Sequence, residues 1–373
     1  MRNPFIYGGE VSGKSFCNRT EEIKEILGDI RNSANVVIFS QRRYGKTSLI
    51  KEILRRSQRQ KILTFYIDLY PAVTKNKFIE VYANGIAKGI KGSRKRIFES
   101  IRDLLPKIIP KMVVREDRLE FEIEFDRTKS PTPILSDLFE AAKKRADRER
   151  KLAVVVLDEF QEIANYEDDE IERMMRSSFQ SHQNVSYIFM GSKRHIMMQI
   201  FDNPSRPFYK SAKHLPLGKI YEEDFGKFIM ERFLECNYNI EEDTISEILK
   251  LTECHPYYTQ MLCHILYENN EDTKMIGMKD ISKSVEWLVK RESGMYLTLW
   301  ESLTQRQKQL LIGLAYEGYT EVFKGEFIGN YGLKSPSTVQ KSLNKLIVKG
   351  IIEKANGLYG IDDPFLQKWI KLM

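Results

Sequence analysis

At 373 residues, 42% hydrophobic and 30% charged, the chain has the make-up of a globular protein too long for one ordinary domain, which argues against disorder. No apolar run approaches the ~20 residues that cross a bilayer, and the opening MRNPFIYGG lacks a signal peptide's apolar centre, so a cytoplasmic protein without a membrane partner is expected. A net charge of +7 permits contact with nucleic acid without requiring it.

Taken in chain order, the first motif is YGGEVSGKS at 7–15, which matches the phosphate-loop pattern GxxxxGK[ST] in full. Its surroundings do not fit. A phosphate loop needs a buried strand running in and a helix starting at the Lys-Ser/Thr, so that backbone N–H groups converge on phosphate. Pro4 and a mixed stretch precede it, and helical periodicity begins only near Thr20, with Asn18 and Glu21 spaced as an N-cap. Lys14 and Ser15 are therefore expected in a loop short of a helix. Cys17 is the first of four scattered cysteines, with Cys236, Cys254 and Cys263. They form no CxxC pair and read as buried residues rather than metal ligands.

The second motif, FSQRRYGKTSL at 39–49, breaks the pattern at Ser40 but has the right context. NVVIF is an apolar, β-branched run of the kind a central parallel strand shows, and KTSLIKEILRR carries a helical stripe of Leu49, Ile50, Ile53 and Leu54. Arg42, Arg43, Tyr44, Gly45, Lys46, Thr47 and Ser48 form the candidate phosphate cradle. Gly45 permits close backbone approach, Lys46 can reach the β- and γ-phosphates, and Thr47 can ligate Mg²⁺.

Further strands are expected near 62–67, 153–157, 185–190 and 214–217, and 119–125 reads as a strand within a long elaboration that also holds the basic run KGSRKRI. KLAVVVLDEF (151–160) delivers two carboxylates at a strand's C-terminal end, where open α/β sheets bind ligands. Asp158 would hold Mg²⁺ and Glu159 would polarise the attacking water. NVSYIFMGSK (184–193) leads to Gly191-Ser192, where Ser192 can orient the water or γ-phosphate, as can the nearby Lys193 and Arg194; Ser192 reads equally as a helix N-cap, and the two roles are compatible.

SQRRYGKTSL resembles the GxRRxGKTSL loop of the archaeal-type ATPases, a group within the STAND and AAA+ branches of P-loop NTPases. The NPF start, VVVLDEFQEI, FMGSK, HPYYTQML and the terminal DDPFLQKWI follow in that family's order. The resemblance implies an α/β fold with a P-loop NTPase parallel-sheet core, a helical lid and a C-terminal winged-helix domain. It implies bound ATP or ADP with Mg²⁺, and Phe16, Asn18 and Arg19 near the adenine. Pro256 in HPYY would pack on the nucleotide, and Arg206 is a candidate trans arginine finger. Ser40 and Cys254 depart from the family's glycines.

The chain divides into an N-terminal arm (1–34), an ATPase core (35–217), a helical lid (218–296) and a winged-helix domain (297–373). In the second helix of that last part, Thr338, Lys341 and Lys345 share a face that reads equally as DNA-contacting or as solvated. Three functions stay open: a nucleotide-dependent switch with slow Mg-dependent ATP hydrolysis and a protein partner or self-association; a DNA-binding ATPase resembling archaeal replication initiators; and a pseudo-ATPase holding ADP structurally.

Overall fold

The computed structural model describes residues 3–373 other than 18, 41, 42, 92, 116, 117, 127, 129 and 356, with backbone alone for 94–96, 112–115 and 118–123. Two compact units emerge. One comprises residues 19–41 and 46–218; the other comprises 1–18, 42–45 and 219–373.

The first unit holds α1 (Thr20–Arg31), β1 (Val36–Phe39), α2 (Lys46–Arg59), β2 (Leu63–Asp68), α3 (Lys75–Gly89), α4 (Arg94–Leu104), β3 (Ile109–Arg115), β4 (Arg118–Glu124), α5 (Thr132–Glu149), β5 (Ala153–Asp158), α6 (Glu170–Phe179), β6 (Val185–Gly191), α7 (Arg194–Asp202) and β7 (Lys213–Pro216). The sheet order is β2-β5-β6-β1-β7, and every neighbouring pair is parallel. Every residue of β1, β5 and β6 is buried. Strands covered on both faces read as unbroken β-branched and aromatic runs, which is why VVIF, AVVVLD and VSYIFMG show no alternation. Edge strand β2 alternates instead. Between β2 and β5 the chain inserts α4 and the antiparallel hairpin β3–β4, the latter covering the strand expected at 119–125.

This topology sets the site. Parallel strands present their C-terminal ends on one edge, so Ser40 after β1, Asp158 closing β5 and Ser192 after β6 share that edge. Because β6 lies between β5 and β1, Ser192 falls between the acids and the phosphate loop in strand order.

The second unit holds α8 (Glu222–Glu235), β8 (Asn239–Ile240), α9 (Glu242–Thr252), α10 (Pro256–Asn269), β9 (Met275–Ile276), α11 (Met278–Glu301), α12 (Gln305–Glu317), α13 (Gly325–Asn330), α14 (Pro336–Val348), β10 (Ile352–Ala355), β11 (Leu358–Ile361) and α15 (Pro364–Leu372). Lid helices and winged helix share one apolar core that runs from Phe225 and Leu262 through Leu288 to Leu314 and Leu343. The N-terminal arm joins it: buried Phe5 packs 4.5 Å from the Phe233 ring. Helix α11 passes unbroken through residues 296 and 297. Antiparallel β10 and β11 form the wing. Among the described residues no helix is long and apolar enough to cross a membrane.

Candidate functional site

β1 ends at Phe39 and α2 opens at Lys46, so the chain between them makes the strand–loop–helix turn that phosphate binding needs. Left-handed backbone falls at Arg43 (φ 69°) and Gly45 (φ 81°) and not at Ser40. The first position of this loop therefore accepts a side chain, whereas Gly45 answers a real conformational demand. Ser40 is also more than a tolerated substitute. The buried Lys46 ammonium donates to the Ser40 carbonyl at 2.7 Å and to its Oγ at 3.2 Å. The serine thus gives the lysine a second acceptor. Thr47 is exposed in the first turn of α2, and Ser48 is buried beneath it.

At the end of β5, Asp158 is buried and accepts from Tyr66 Oη at 2.5 Å and from the Glu159 N–H at 2.9 Å. Burial pushes its carboxyl above the usual range; these two bonds oppose the shift, and the charges of Glu159 and Asp68 add to it. Asp68 stands beside it in the β2–β5 register. Glu159 has left-handed backbone (φ 50°) and turns the chain into a short 3₁₀ turn, Phe160–Asn165. Its Oε2 accepts from Ser192 Oγ at 2.9 Å and from Gln161 Nε2. Ser192 is therefore the carboxylate's partner and not a helix cap, since α7 begins two residues later with Lys193 at its N-cap. Tyr66 and Gln161 escape sequence reasoning. Tyr66 is one of several aromatics in a strand, and Gln161 sits in an irregular turn with no period.

The other expected residues separate by unit. Arg19, in the first unit, is buried and donates to Glu22 at 2.9 Å and to the Gly218 carbonyl at 2.8 Å. Arg206, also there, pairs with buried Glu172 at 2.5 Å, and its side chain is 30% exposed. In the second unit, Phe16 follows the 3₁₀ turn Gly13–Ser15, and Pro256 is the first residue of α10, capped by His255. The Arg43 guanidinium lies 4.5 Å over the Tyr257 ring and reaches Tyr258 Oη at 3.4 Å. Tyr44 is buried; its Oη donates to Glu353 of β10 at 2.5 Å and its ring meets His255 edge-on. Cys254 carries φ 55°, the backbone that a glycine at that place would take without strain. Asn18 and Arg42 lie outside the described residues. On α14, Lys341 and Lys345 are exposed beside Gln340 and Asn344, and Thr338 is half-buried.

Lys14, the lysine of the full-pattern string, is 80% exposed and pairs with Glu235 at 3.0 Å. Among the described residues no strand precedes it, and its turn is three residues long.

Comparison with known proteins agrees with this architecture. The chain is similar in fold to the Walker-type ATPase of Pyrococcus abyssi, with a TM-score of 0.68 at 17% identity over 99% of each chain. It is also similar in fold to the ORC2 protein of Aeropyrum pernix in its ADPNP-ADP complexes, with a TM-score of 0.57 at 13% identity over 100% of this chain and 97% of that one. An uncharacterized ATP-binding protein of Methanocaldococcus jannaschii is 30% identical over 169 residues, which is 40% of this chain and 43% of that protein; the chain thus matches less than half of that relative's length. The family described as "Probable winged helix domain" matches residues 294–372. The family described as "ATPase domain predominantly from Archaea" matches residues 16–262, and with its strand–loop–helix, its paired acids and its parallel sheet the chain belongs to that family.

Proposed function

We propose that this protein is an ATP-driven switch, which binds Mg-ATP at the 40–47 loop and hydrolyses it slowly. The observation that carries the switch is the fate of the loop's own residues: Arg43 bonds to Tyr258 of the lid helix α10, and Tyr44 bonds to Glu353 of the winged-helix strand β10. A phosphate that reorders this loop acts directly on those two contacts, so nucleotide state biases the lid and wing.

The residues fit the ligand. Lys46, at the start of α2, supplies the phosphate-facing cation, with Gly45, Ser48 and the helix N–H groups around it. Thr47 and Asp158 are the oxygen donors for Mg²⁺. Among the described residues no three His, Cys, Asp or Glu side chains form a group that could hold a metal ion. When bound, Mg²⁺ neutralises charge on the phosphates. Phe16, Asn18, Arg19 and Pro256 are the residues assigned to the base and lid side, and Arg206 remains the candidate finger.

Glu159 is the base. The attacking water gives its proton to the Glu159 carboxylate as its oxygen bonds to the γ-phosphorus. The bridging P–O bond breaks, and ADP and phosphate leave. Single-turnover hydrolysis tests this: Glu159→Gln should slow the step at least ~100-fold, and equal rates in the two proteins would sink the assignment. Nucleotide that co-purifies, resists exchange and is never hydrolysed would favour structural ADP instead.

A second reading has its own observation, the exposed Lys341 and Lys345 beside Gln340 and Asn344 on α14. It makes the protein a DNA-binding ATPase. Duplex affinity should then fall steeply with salt, as phosphate contacts release counterions. A flat salt response, or no binding at low salt, removes it.

A further inference from the structure

We propose that Gln161 is a positioning residue that fixes the Glu159 carboxylate for proton transfer; this rests on the reading of Glu159 as the base. Three observations converge on it.

The first is the bond itself. Left-handed backbone at Glu159 folds the chain back, so a side chain two residues on can reach it. Gln161 Nε2 donates to Glu159 Oε2, and Ser192 Oγ donates to the same atom at 2.9 Å. Two donors from two different elements hold one oxygen. Oε1 is then the atom presented to water, in a fixed direction, and a base held this way loses no time to rotamer search.

The second is what Gln161 gives up. It is 1% exposed, and its Oε1 is buried with no hydrogen-bond partner among the described residues. An unpaired buried acceptor is costly, because it leaves water without replacing the hydrogen bond it had there. Methionine or leucine would fill this space without that cost, so only the donor end accounts for an amide here. That end reaches Glu159 and, at 3.4 Å, Glu162.

The third is the room made for it. Gly191 closes β6, next to Ser192. A Cβ there would lie 2.5 Å from Gln161 Oε1 and 2.5 Å from Met197 Sδ. Gly191 does not have left-handed backbone, so conformational freedom does not call for a glycine. What the glycine supplies is volume, which the Gln161 amide and the Met197 side chain share.

The test uses full-length protein and reads two quantities, the single-turnover rate of Mg-ATP hydrolysis and the ATP dissociation constant. Gln161→Met keeps the volume and removes the donor; it should slow hydrolysis about tenfold, with affinity unchanged within about twofold. Gly191→Ala keeps the amide and displaces it, and should slow hydrolysis in the same sense. In a Glu159→Gln background, Gln161→Met should add no further loss. Should Gln161→Met fail to fold, Gly191→Ala decides alone. Wild-type rates in the folded variants, or weakened ATP binding at an unchanged rate, overturn the proposal. Wild-type hydrolysis by Glu159→Gln is a separate result: it removes the base and, with it, the reason to position one.

Discussion

Residues 8–15 carry every letter of the phosphate-loop pattern, and residues 40–47 lack the first. The former lie on an arm that ends in the three-residue turn Gly13–Ser15, with no strand before it among the described residues, and their lysine points to solvent against Glu235. The latter link a fully buried strand to a 14-residue helix, and their lysine is buried against the Ser40 carbonyl. A phosphate cradle is an arrangement of N–H groups, and only flanking elements can hold them still. Glycine at the first position is one way to make the turn; left-handed backbone at Arg43 and Gly45 is another.

The sharpest way to break this comparison is to remove each lysine in turn. At 100 times its dissociation constant, Mg-ATP should stabilise the wild type by about 2.7 kcal/mol. Lys46→Ala should abolish that shift in a thermal melt, and Lys14→Ala should keep it. The opposite pattern would move the site to the arm.

The two strings also differ in what holds them. Tyr44 bonds to buried Glu353, within a charged group that includes buried His255, half-buried Asp362, Asp363 and Lys219, and exposed Arg43. Burial, then the charges of Glu353 and Asp363, push Asp362 up to about 7. An unfolded aspartate titrates near ~3.9. Between these values the folded chain keeps a proton that the unfolded chain releases, so stability from this group falls as pH rises from about 4 to about 7, then levels. The full span corresponds to at most about 4 kcal/mol. In the other unit the sign reverses. Burial lowers the pKa of His182, with its bond to Glu140 opposing, so the unfolded chain takes the proton first and stability falls as pH drops through about 6.5 and below. All three tryptophans, Trp287, Trp300 and Trp369, lie in the second unit. Urea melts followed by tryptophan fluorescence should therefore show the Asp362 slope, and Asp362→Asn should flatten it. An unchanged slope would exclude Asp362 as its source.

The strands were legible because double-sided burial forces runs such as VVIF and AVVVLD. The Ser192 contact was half legible: its strand tip points to the acids, but a helix cap fits the same letters. Tyr44–Glu353 had no signal at all. The two residues are 309 apart in sequence, and each reads as ordinary in its own segment. Gln161 was hidden for the opposite reason, since its partner is too close in sequence for any periodicity to show.

Smaller effects sharpen the contrast. Tyr44→Phe removes a buried hydrogen bond to Glu353 and should cost about 1–3 kcal/mol in the same melts. Lys14→Ala removes only an exposed ion pair and should cost less than about 1 kcal/mol. Equal costs would mean that Tyr44 is not anchored to the wing.

The smallest effect returns to the missing glycine. Ser40→Gly takes the hydroxyl acceptor at 3.2 Å from Lys46 and leaves the carbonyl at 2.7 Å. The lysine then loses less on turning toward phosphate, and ATP should bind a few-fold tighter, in line with about 1 kcal/mol for one hydrogen bond. Stability without nucleotide should fall by about 0.5–1 kcal/mol, because glycine loses more backbone freedom on folding. Titration of both proteins with ATP, alongside their melts, separates the two effects. Weaker binding by Ser40→Gly would mean that the hydroxyl serves the nucleotide and not the lysine, and Ser40 would then be a ligand that the glycine of the common pattern cannot supply.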